Sequence, residues 1–483
     1  MKKKEKMKKL ILSIVCLALA LTSCEDQMDI NRDPDSLPAE GVEPATQLPI
    51  AIAGIAGGQG AELAIIGGMW SQFWTQSNSA NQYRTIDAYS ITSSNYQGGW
   101  NNLYDALGDV RNIKRNALAS ENWNYYLIAT VLETYASQIL ADWYDQIPYA
   151  EANDMSNFEP SFNTGEEVYD LMIADLNDAL SKNLGASKGN IPLNDDFIFG
   201  GDMSKWVQFA NTMKLKIFLR QADARPSVAQ SGIGALGNNF LTEDAAMTQF
   251  INEANRSNPL FESDRRQLNV GTNLRASTTM YSYLSSNNDP RLDLYYGPGN
   301  PLNQGDYQSM AAPNSVSVVN LSATTPVYFI SAEQSLFMQA EARERFSGGA
   351  GAKALYDQAV TASFAKWGLD ATPFITVGGV YEYPSSGTFD EKLTAIITQK
   401  WISSFPGNGF ESFFEQNRTD IPAVSTVPQT NEAYVPGQLS YSINGSTGGV
   451  FPKRLEWPSD ELSRNANAPD APVKVTVPVW WDN

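Results

Sequence analysis

Apolar residues recur at intervals of three and four along most of this chain, which is the spacing that places them on one face of an α-helix. Trp206, Phe209 and Met213, for example, fall mostly on one face. Residues 163–167 (NTGEE) have the pattern of a helix N-cap followed by an acidic first turn. The segments with helical spacing are residues 126–143, 168–180, 206–219, 332–346, 352–367 and 393–405. They predict a mainly α-helical fold in which the apolar faces meet in a core.

The segments at residues 332–346 and 352–367 predict a tightly packed helical hairpin. Small residues such as Ala340 and Ala359 alternate with large ones, and Gly348-Gly349 supplies the turn. The pattern resembles a pair of tetratricopeptide helices, although no strict repeat of about 34 residues runs through the chain.

Four long segments between the helices are rich in Gly, Asn, Ser, Pro and aromatic residues: 76–99, 290–327, 368–388 and 421–450. Loops of this length in an ordered domain are usually functional or packed onto the scaffold. No low-complexity linker divides the chain. We therefore predict one helical domain, residues 41–483, with long irregular loops.

The N-terminus has the pattern of a bacterial lipoprotein signal peptide, residues 1–23. Lysines precede an apolar run at residues 10–21, which is too short for a bilayer span of about 20 residues. Leu21-Thr22-Ser23-Cys24 is similar to the lipobox at which such proteins are cleaved and acylated, so we expect lipidation at Cys24. Residues 24–40 then form an acylated, flexible tether. The alternative is an ordinary secreted protein that keeps Cys24 as a free thiol.

Composition excludes several classes of function. The two cysteines are Cys16, which leaves with the signal peptide, and Cys24, so no internal disulfide is expected. The chain has no histidine, which excludes Ser-His-Asp and Cys-His hydrolases and every histidine-based metal site. A formal charge of -19 argues against nucleic acid as a partner. Residues 29–40 match the ligand spacing of a calcium-binding EF-hand loop, but Pro34 stands where that loop requires glycine. No metal or cofactor is predicted.

Several segments together resemble the SusD/RagB family of Bacteroidetes outer-membrane lipoproteins, in the SusD-like subgroup, over nearly the whole mature chain. These segments are residues 142–149 (DWYDQIPY), 205–215 (KWVQFANTMKL), 288–292 (NDPRL), 331–337 (SAEQSLF), 340–342 (AEA), 399–401 (QKW) and 451–458 (FPKRLEWP), followed by Glu461 and Asn465. Residues 417–420 (NRTD) depart from the Arg-Arg-Thr-Gly run common in the family, and Trp457 replaces a common tyrosine.

The resemblance implies a tetratricopeptide-like helical scaffold whose long irregular loops bind ligand. It also implies a lipid-anchored protein of the outer membrane that captures oligosaccharides, or in some members peptides, for a SusC-like TonB-dependent transporter. Neither catalysis nor a cofactor is implied. The acidic residues directly after Cys24 resemble the surface-export signal of such lipoproteins, so we expect the protein to face the cell exterior.

A sugar-binding surface needs flat aromatic faces for the pyranose rings and polar groups for the hydroxyls. The first candidate segment contains Trp70, Gln72, Trp74, Gln76, Asn78, Asn81, Gln82, Tyr83 and Arg84, and Tyr96 follows it as a further candidate. A second contains Tyr295, Tyr296, Asn300 and Tyr307, and a weaker third contains Tyr381 and Tyr383. Alternatively, Trp70 and Trp74, four residues apart, belong to one buried helix face.

Two other classes of function remain open from the sequence. A carboxylate-dependent glycoside hydrolase needs a pair of Asp or Glu residues, and Asp142 and Asp145 flank Trp143. The resemblance places this pair at a packed helix end, which argues against catalysis. A surface adhesin is the third class, but adhesins are more often rich in β-strands.

Overall fold

Helices form most of the regular structure in this computed structural model, which describes residues 4–5, 42–154, 156–268 and 272–482. The helices are α1 (Pro44–Gly58), α2 (Ala64–Trp70), α3 (Arg84–Asp87), α4 (Gly98–Ala119), α5 (Trp123–Tyr144), α6 (Gly165–Ser181), α7 (Met203–Arg220), α8 (Pro226–Ala235), α9 (Pro259–Phe261), α10 (Thr278–Ser286), α11 (Arg291–Tyr295), α12 (Ala332–Phe346), α13 (Ala352–Ala365), α14 (Thr372–Ile375), α15 (Phe389–Ser403), α16 (Gly409–Thr419) and α17 (Ser459–Arg464).

The six segments predicted from apolar spacing correspond to α5, α6, α7, α12, α13 and α15, so the helical prediction is confirmed. The predicted N-cap at residues 163–167 is also present. The Thr164 side chain accepts a hydrogen bond from the Glu167 backbone N–H, and the Glu167 side chain accepts one from the backbone N–H of Thr164. Such a reciprocal capping box satisfies two backbone donors that a helix end otherwise leaves unpaired.

The helices pack as neighbouring pairs. α1 lies against α4, α4 against α5, and α5 against α6, while α12 and α13 form the predicted hairpin. Gly348 and Gly349 form its turn with φ of 62° and 78°, values that glycine adopts without strain. α15 packs on α12, and α2 packs on α16. From Glu43 onward the chain forms one compact unit.

Among the described residues, four short strands pair in two antiparallel sheets that connect distant parts of the chain. β1 (Trp74–Gln76) pairs with β3 (Leu274–Ala276), with Thr75 opposite Arg275. β2 (Ala245–Met247) pairs with β4 (Val327–Ile330), with a register shift between Ala245 and Ala246. The first sheet matters for the functional site because it fixes the segment after α2 against the segment that precedes α10.

The helical stretch Pro44–Trp70 is long and apolar enough to cross a membrane by length and composition, but two thirds of its most apolar window is buried within the protein. A π-helical turn at Gln59–Leu63 divides it into α1 and α2. Gln59 is buried there, accepts a hydrogen bond from the Tyr135 hydroxyl and donates one to the Tyr328 carbonyl at 3.3 Å. This stretch is therefore packed as a core helix of the domain.

A network of buried charges joins five helices in the core. Arg220 of α7 pairs with Asp142 of α5 and with Glu411 and Glu415 of α16. The remaining members are Lys216 of α7, Glu341 of α12, Lys400 of α15 and Arg418 of α16. Each carboxylate faces at least one cation, which offsets the desolvation that an isolated buried charge suffers.

The predictions for the N-terminus concern residues that the structure does not describe. Most of the predicted signal peptide, the expected lipidation site Cys24, the predicted tether to residue 40 and the EF-hand-like spacing at residues 29–40 lie outside the described residues. They stay predictions.

Candidate functional site

Six of the nine predicted binding residues are buried, which contradicts the expectation that a ligand can reach them. The exposed fraction is 5 % or less for Trp70, Trp74, Tyr83, Tyr295 and Tyr296, and Gln76 is fully buried. We therefore correct these six from ligand contacts to core residues. For Trp70 and Trp74 the alternative predicted burial, and both are buried. They do not share a helix face, however, because α2 ends at Trp70 and β1 begins at Trp74.

Each buried aromatic residue has a structural partner. The indole N–H groups of Trp70 and Trp74 donate to the carbonyls of Ile86 and Ile65 at 3.0 and 3.1 Å. Tyr295 stacks on Phe405 with ring centroids 4.1 Å apart.

The same holds for the remaining buried residues. The Tyr296 hydroxyl donates to the Phe73 carbonyl at 2.6 Å, and the Gln76 side chain accepts from the Tyr83 backbone N–H at 2.6 Å. Burial and the nearby Asp264 carboxylate raise the pKa of Tyr83 far above its usual value. The third candidate pair, Tyr381 and Tyr383, is buried as well.

The other three predicted residues are accessible and lie on one segment. Asn81 is exposed, and Asn78 and Tyr96 are half-buried. The Tyr96 hydroxyl is 2.9 Å from the Thr85 hydroxyl, so the end of the segment folds back onto its middle. Burial raises the pKa of Tyr96, which keeps its hydroxyl protonated and able to donate.

The structure joins this segment to part of the second candidate segment. The Asn78 amide donates to the carbonyls of Ser309 and Ala311 at 3.0 and 2.8 Å. The guanidinium carbon of Arg84 lies 5.1 Å from the centre of the Tyr307 ring. A cation at this distance is attracted to the face of an aromatic ring and restricts its orientation. Sequence alone treats these as two separate segments, because no spacing rule connects residues more than 200 positions apart.

We call the resulting face the loop surface; its residues are Asn78, Asn81, Gln82, Arg84, Tyr96, Tyr307 and Met310. Arg84, Asn81 and Gln82 are exposed, Tyr307 is half-buried, and Met310 is 96 % exposed. The surface thus combines two aromatic rings, one guanidinium, several side-chain amides and a protruding thioether. These groups can stack on an apolar ring face and hydrogen-bond to hydroxyl or amide groups of a ligand.

A third loop, residues 438–446, contacts the two segments that carry the loop surface. The backbone N–H of Ser446 donates to the Ala88 carbonyl at 2.9 Å, and the Asn444 amide donates to the Gly305 carbonyl at 2.8 Å. Gly305 is required at this contact, because a Cβ atom there would lie 1.9 Å from the Ser442 hydroxyl. The long loops are therefore packed together on the scaffold.

The carboxylate pair considered for catalysis is not arranged for a substrate. Asp142 is fully buried and pairs with Arg220, and Asp145 lies 3.5 Å from Arg454. Burial raises the pKa of Asp142 to about 6, although Arg220 and Tyr169 act in the opposite direction. Within the described residues no group of acidic or cysteine side chains is arranged to hold a metal ion.

Residues 39–442 match the model of the SusD-like family that is described as "Starch-binding associating with outer membrane". The chain belongs to this SusD-like family. Membership confirms the resemblance found in the sequence, and it confirms that the protein acts by binding and not as an enzyme, since the family is defined by binding. It also associates this SusD-like protein with the outer membrane. No curated protein sequence matches the chain.

Solved structures similar to this SusD-like protein confirm the fold. A SusD homolog from Bacteroides uniformis has 23 % identity and a TM-score of 0.73, with 90 % of this chain and 99 % of that one covered. A chitin-binding SusD homolog from Flavobacterium johnsoniae has 18 % identity and the same TM-score, with coverage of 90 % and 98 %. A SusD homolog from Bacteroides thetaiotaomicron has 21 % identity and a TM-score of 0.68, with coverage of 90 % and 99 %.

Proposed function

We propose that this SusD-like protein is a lipid-anchored protein of the outer cell surface that binds oligosaccharides at its loop surface and delivers them to a SusC-like TonB-dependent transporter. The observation that carries the proposal is the contact of Arg84 with Tyr307, next along the chain to the contact of Thr85 with Tyr96, on loops packed against the helical body. A pre-formed surface loses little conformational freedom when ligand binds, which favours affinity.

The chemistry of the loop surface suits a glycan. Tyr96 and Tyr307 can each offer a ring face to a pyranose, whose axial C–H groups form an apolar patch. Asn81 and Gln82 can donate to and accept from hydroxyl groups, and Arg84 can donate to ring or acetyl oxygens. Two similar solved proteins are described as chitin-binding, and the family is described as starch-binding, so both glycans belong in the test. A peptide is the second ligand class that the family resemblance leaves open.

Binding is tested by calorimetry with the protein lacking residues 1–24 and with three probes: a chitin hexasaccharide, a starch hexasaccharide and a mixed peptide library. We expect one hexasaccharide to bind. We expect Tyr307→Ala to weaken it about tenfold, because loss of one stacking face removes about 1–2 kcal/mol.

The matched control is Tyr328→Ala. Tyr328 is also a half-buried tyrosine beside a cation, with the Lys366 ammonium 3.9 Å from its ring centre, but it lies in β4 and outside the loop surface. Equal affinity of the wild-type protein and Tyr307→Ala, or binding of peptides alone, would refute glycan binding at this surface.

Anchoring and partnership need separate measurements on cells. We expect the full-length chain to co-purify, from detergent extracts, with a β-barrel identified by mass spectrometry as a TonB-dependent transporter. We also expect Cys24→Ala to remain as unprocessed precursor and to be absent from the outer-membrane fraction. Protease treatment of intact cells should degrade the wild-type protein if it faces outward; full protection would place it on the inner side.

A further inference from the structure

We propose that Asp87 is a positioning residue for ligand binding: its carboxylate holds together the loops that carry Arg84 and Tyr307. This inference rests on the function proposed above. Asp87 does not reach the surface itself, because its side chain is fully buried. It would therefore act through the arrangement of its neighbours.

Both carboxylate oxygens of Asp87 accept strong hydrogen bonds from two separate segments. Oδ2 accepts from the Thr75 hydroxyl at 2.6 Å and from the Gln76 backbone N–H at 2.9 Å. Oδ1 accepts from the Gln304 side-chain amide at 2.6 Å. The backbone N–H of Gly305 donates to the Thr75 hydroxyl at 3.0 Å and so closes a ring of polar contacts. One buried charge thus connects β1, the end of α3 and the loop at residues 304–305.

The network continues from Gln304 to a third segment. The Gln304 side-chain oxygen accepts from the Ser277 hydroxyl at 3.0 Å, and its backbone N–H donates to the Gln429 side chain at 2.7 Å. The Gln304 carbonyl accepts from the Ile443 backbone N–H at 2.9 Å. Movement of Gln304 would therefore disturb the third loop as well.

A parallel connection runs through Gln72, which is also fully buried. Its side-chain amide donates to the Ser440 carbonyl at 2.6 Å, and its oxygen accepts from the Ser440 backbone N–H at 3.0 Å. Gln429 donates to the Thr279 hydroxyl at 2.7 Å, and that hydroxyl donates to Gln72. Buried polar networks of this kind rigidify a structure only when their members are satisfied.

The network requires a carboxylate at residue 87. Every hydrogen bond that the Asp87 carboxylate makes is with a donor, and an ionised carboxylate is an acceptor only. An asparagine would place an N–H₂ group opposite either Gln304 or Thr75. Gln304 cannot simply reverse its amide, because its oxygen already accepts from Ser277. Asp87→Asn therefore leaves at least one buried donor unpaired while it hardly changes the volume.

Two residues of the loop surface, Arg84 and Tyr307, lie close in the chain to members of this network. Arg84 is the first residue of the four-residue helix α3, which ends at Asp87. Tyr307 follows Gln304 by three residues. A shift of either segment would separate the guanidinium from the ring, which are 5.1 Å apart.

The charge of Asp87 depends on pH in an accessible range. Burial raises its pKa to about 6, while the hydrogen bonds from Thr75, Gln76, Gln304 and Gly305 lower it. These donors are neutral, and the titratable group that faces Asp87 is the Tyr89 phenol, whose own pKa burial raises far above its usual value. The raised pKa predicts that Asp87 loses its charge as pH falls through about 6.

The test compares Asp87→Asn with Glu133→Gln. Glu133 is a matched control because it is a buried carboxylate that Arg111 and Lys114 contact at 2.8 and 2.6 Å, outside the three loops. Hydrogen–deuterium exchange is measured first, without ligand. We expect faster exchange in residues 75–88, 302–308 and 438–446 together in Asp87→Asn and no change there in Glu133→Gln. Thr75→Val, a milder change at the same ring, should give a smaller effect of the same kind if Asp87→Asn does not fold.

Affinity for the hexasaccharide that the wild-type protein binds is measured next, at pH 7.5 and pH 5. We expect Asp87→Asn to bind at least tenfold more weakly at pH 7.5. We expect the affinity of the wild-type protein to fall towards pH 5 and that of the variant to stay constant, which loss of stability alone would not produce. Unchanged loop exchange, unchanged affinity, or the same pH dependence in both proteins would overturn the proposal. If the wild-type protein binds neither hexasaccharide, the proposed function fails, and loop exchange alone decides whether Asp87 positions the loops.

Discussion

Arg220 offers the clearest quantitative test of how the core is held together. Its guanidinium is fully buried and contacts three carboxylates: Nε is 3.2 Å from Asp142, Nη2 is 2.8 Å from Glu411, and Nη1 is 2.5 Å from Glu415. In Arg220→Met the two glutamates keep other cations, Lys216 for Glu411 and Arg418 for Glu415. Asp142 loses the one cation that pairs with it among the described residues. Removal of one partner from a buried ion pair costs about 3–5 kcal/mol, and we expect a loss of unfolding free energy in that range at pH 7.5.

The loss should be smaller at pH 5. Burial raises the pKa of Asp142 to about 6 even with Arg220 present. A carboxyl group with a raised pKa in the folded state stabilises the fold at low pH and loses that contribution as pH rises through the folded value. Without Arg220 this pKa rises further, so Asp142 is protonated at pH 5 and carries no unpaired charge.

Glu411 also makes the stability loss in Arg220→Met smaller at pH 5 than at pH 7.5. Burial tends to raise its pKa, but Lys216 and Arg220 more than offset this and hold the pKa below its usual value. Its contribution to stability is therefore present above the unfolded pKa and lost as pH falls through the folded pKa. Arg220→Met reduces that contribution, which again makes the loss larger at pH 7.5 than at pH 5.

Urea unfolding followed by tryptophan fluorescence at both pH values measures these differences. The control is Arg225→Met, because Arg225 pairs with Asp170 at 3.0 Å where the carboxylate is more than half exposed. A pair of that kind contributes at most about 1 kcal/mol. Combining Arg220→Met with Asp142→Asn should recover about 1–3 kcal/mol, since the unpaired charge is then absent. A loss in Arg220→Met no larger than in the control, or one independent of pH, would refute the reasoning.

Two further changes test the packing and capping described above. Gly67→Ala should lower the free energy of unfolding in urea by about 2–3 kcal/mol, because the added Cβ would lie 2.2 Å from the Phe410 backbone nitrogen in α16. The control is Gly57→Ala in α1, where an added Cβ meets nothing within 4 Å, and it should be neutral or slightly stabilising. Thr164→Ala should cost about 1 kcal/mol through loss of the α6 capping box, and a melting temperature equal to that of the wild-type protein would contradict this.

Helices could be predicted where one face is apolar and the other polar. For this reason the bounds of α12 agree with its predicted segment, and the bounds of α6 and α7 lie within a few residues of theirs. Residues 44–70 did not allow a prediction, because small and apolar residues occupy most faces of α1 and α2 and leave only a weak period. Burial against the rest of the domain, and not an apolar period in the sequence, stabilises the helices at residues 44–70.

The loop surface was harder to predict because buried and exposed aromatic residues share the same sequence context. Tyr295 and Tyr307 both lie in the segment 290–327, which is rich in Gly, Pro and Asn. Tyr295, at the end of α11, is buried against Phe405, whereas Tyr307 is half-exposed beside Arg84. The difference arises from contacts with residues that are far away in the chain. Composition identified the segments that form the loop surface, whereas only the folded structure separates the rings that pack inward from those that face outward.

The wide separation of the loops has a consequence for how the protein matures. Gln72 and Ser440, which bond to each other twice, are 368 positions apart. During synthesis and export the N-terminal part of the chain emerges long before its C-terminal partner. The contacts that hold the loops together therefore cannot be completed until nearly the entire polypeptide has been synthesised, so a chain truncated before Ser440 would lack them.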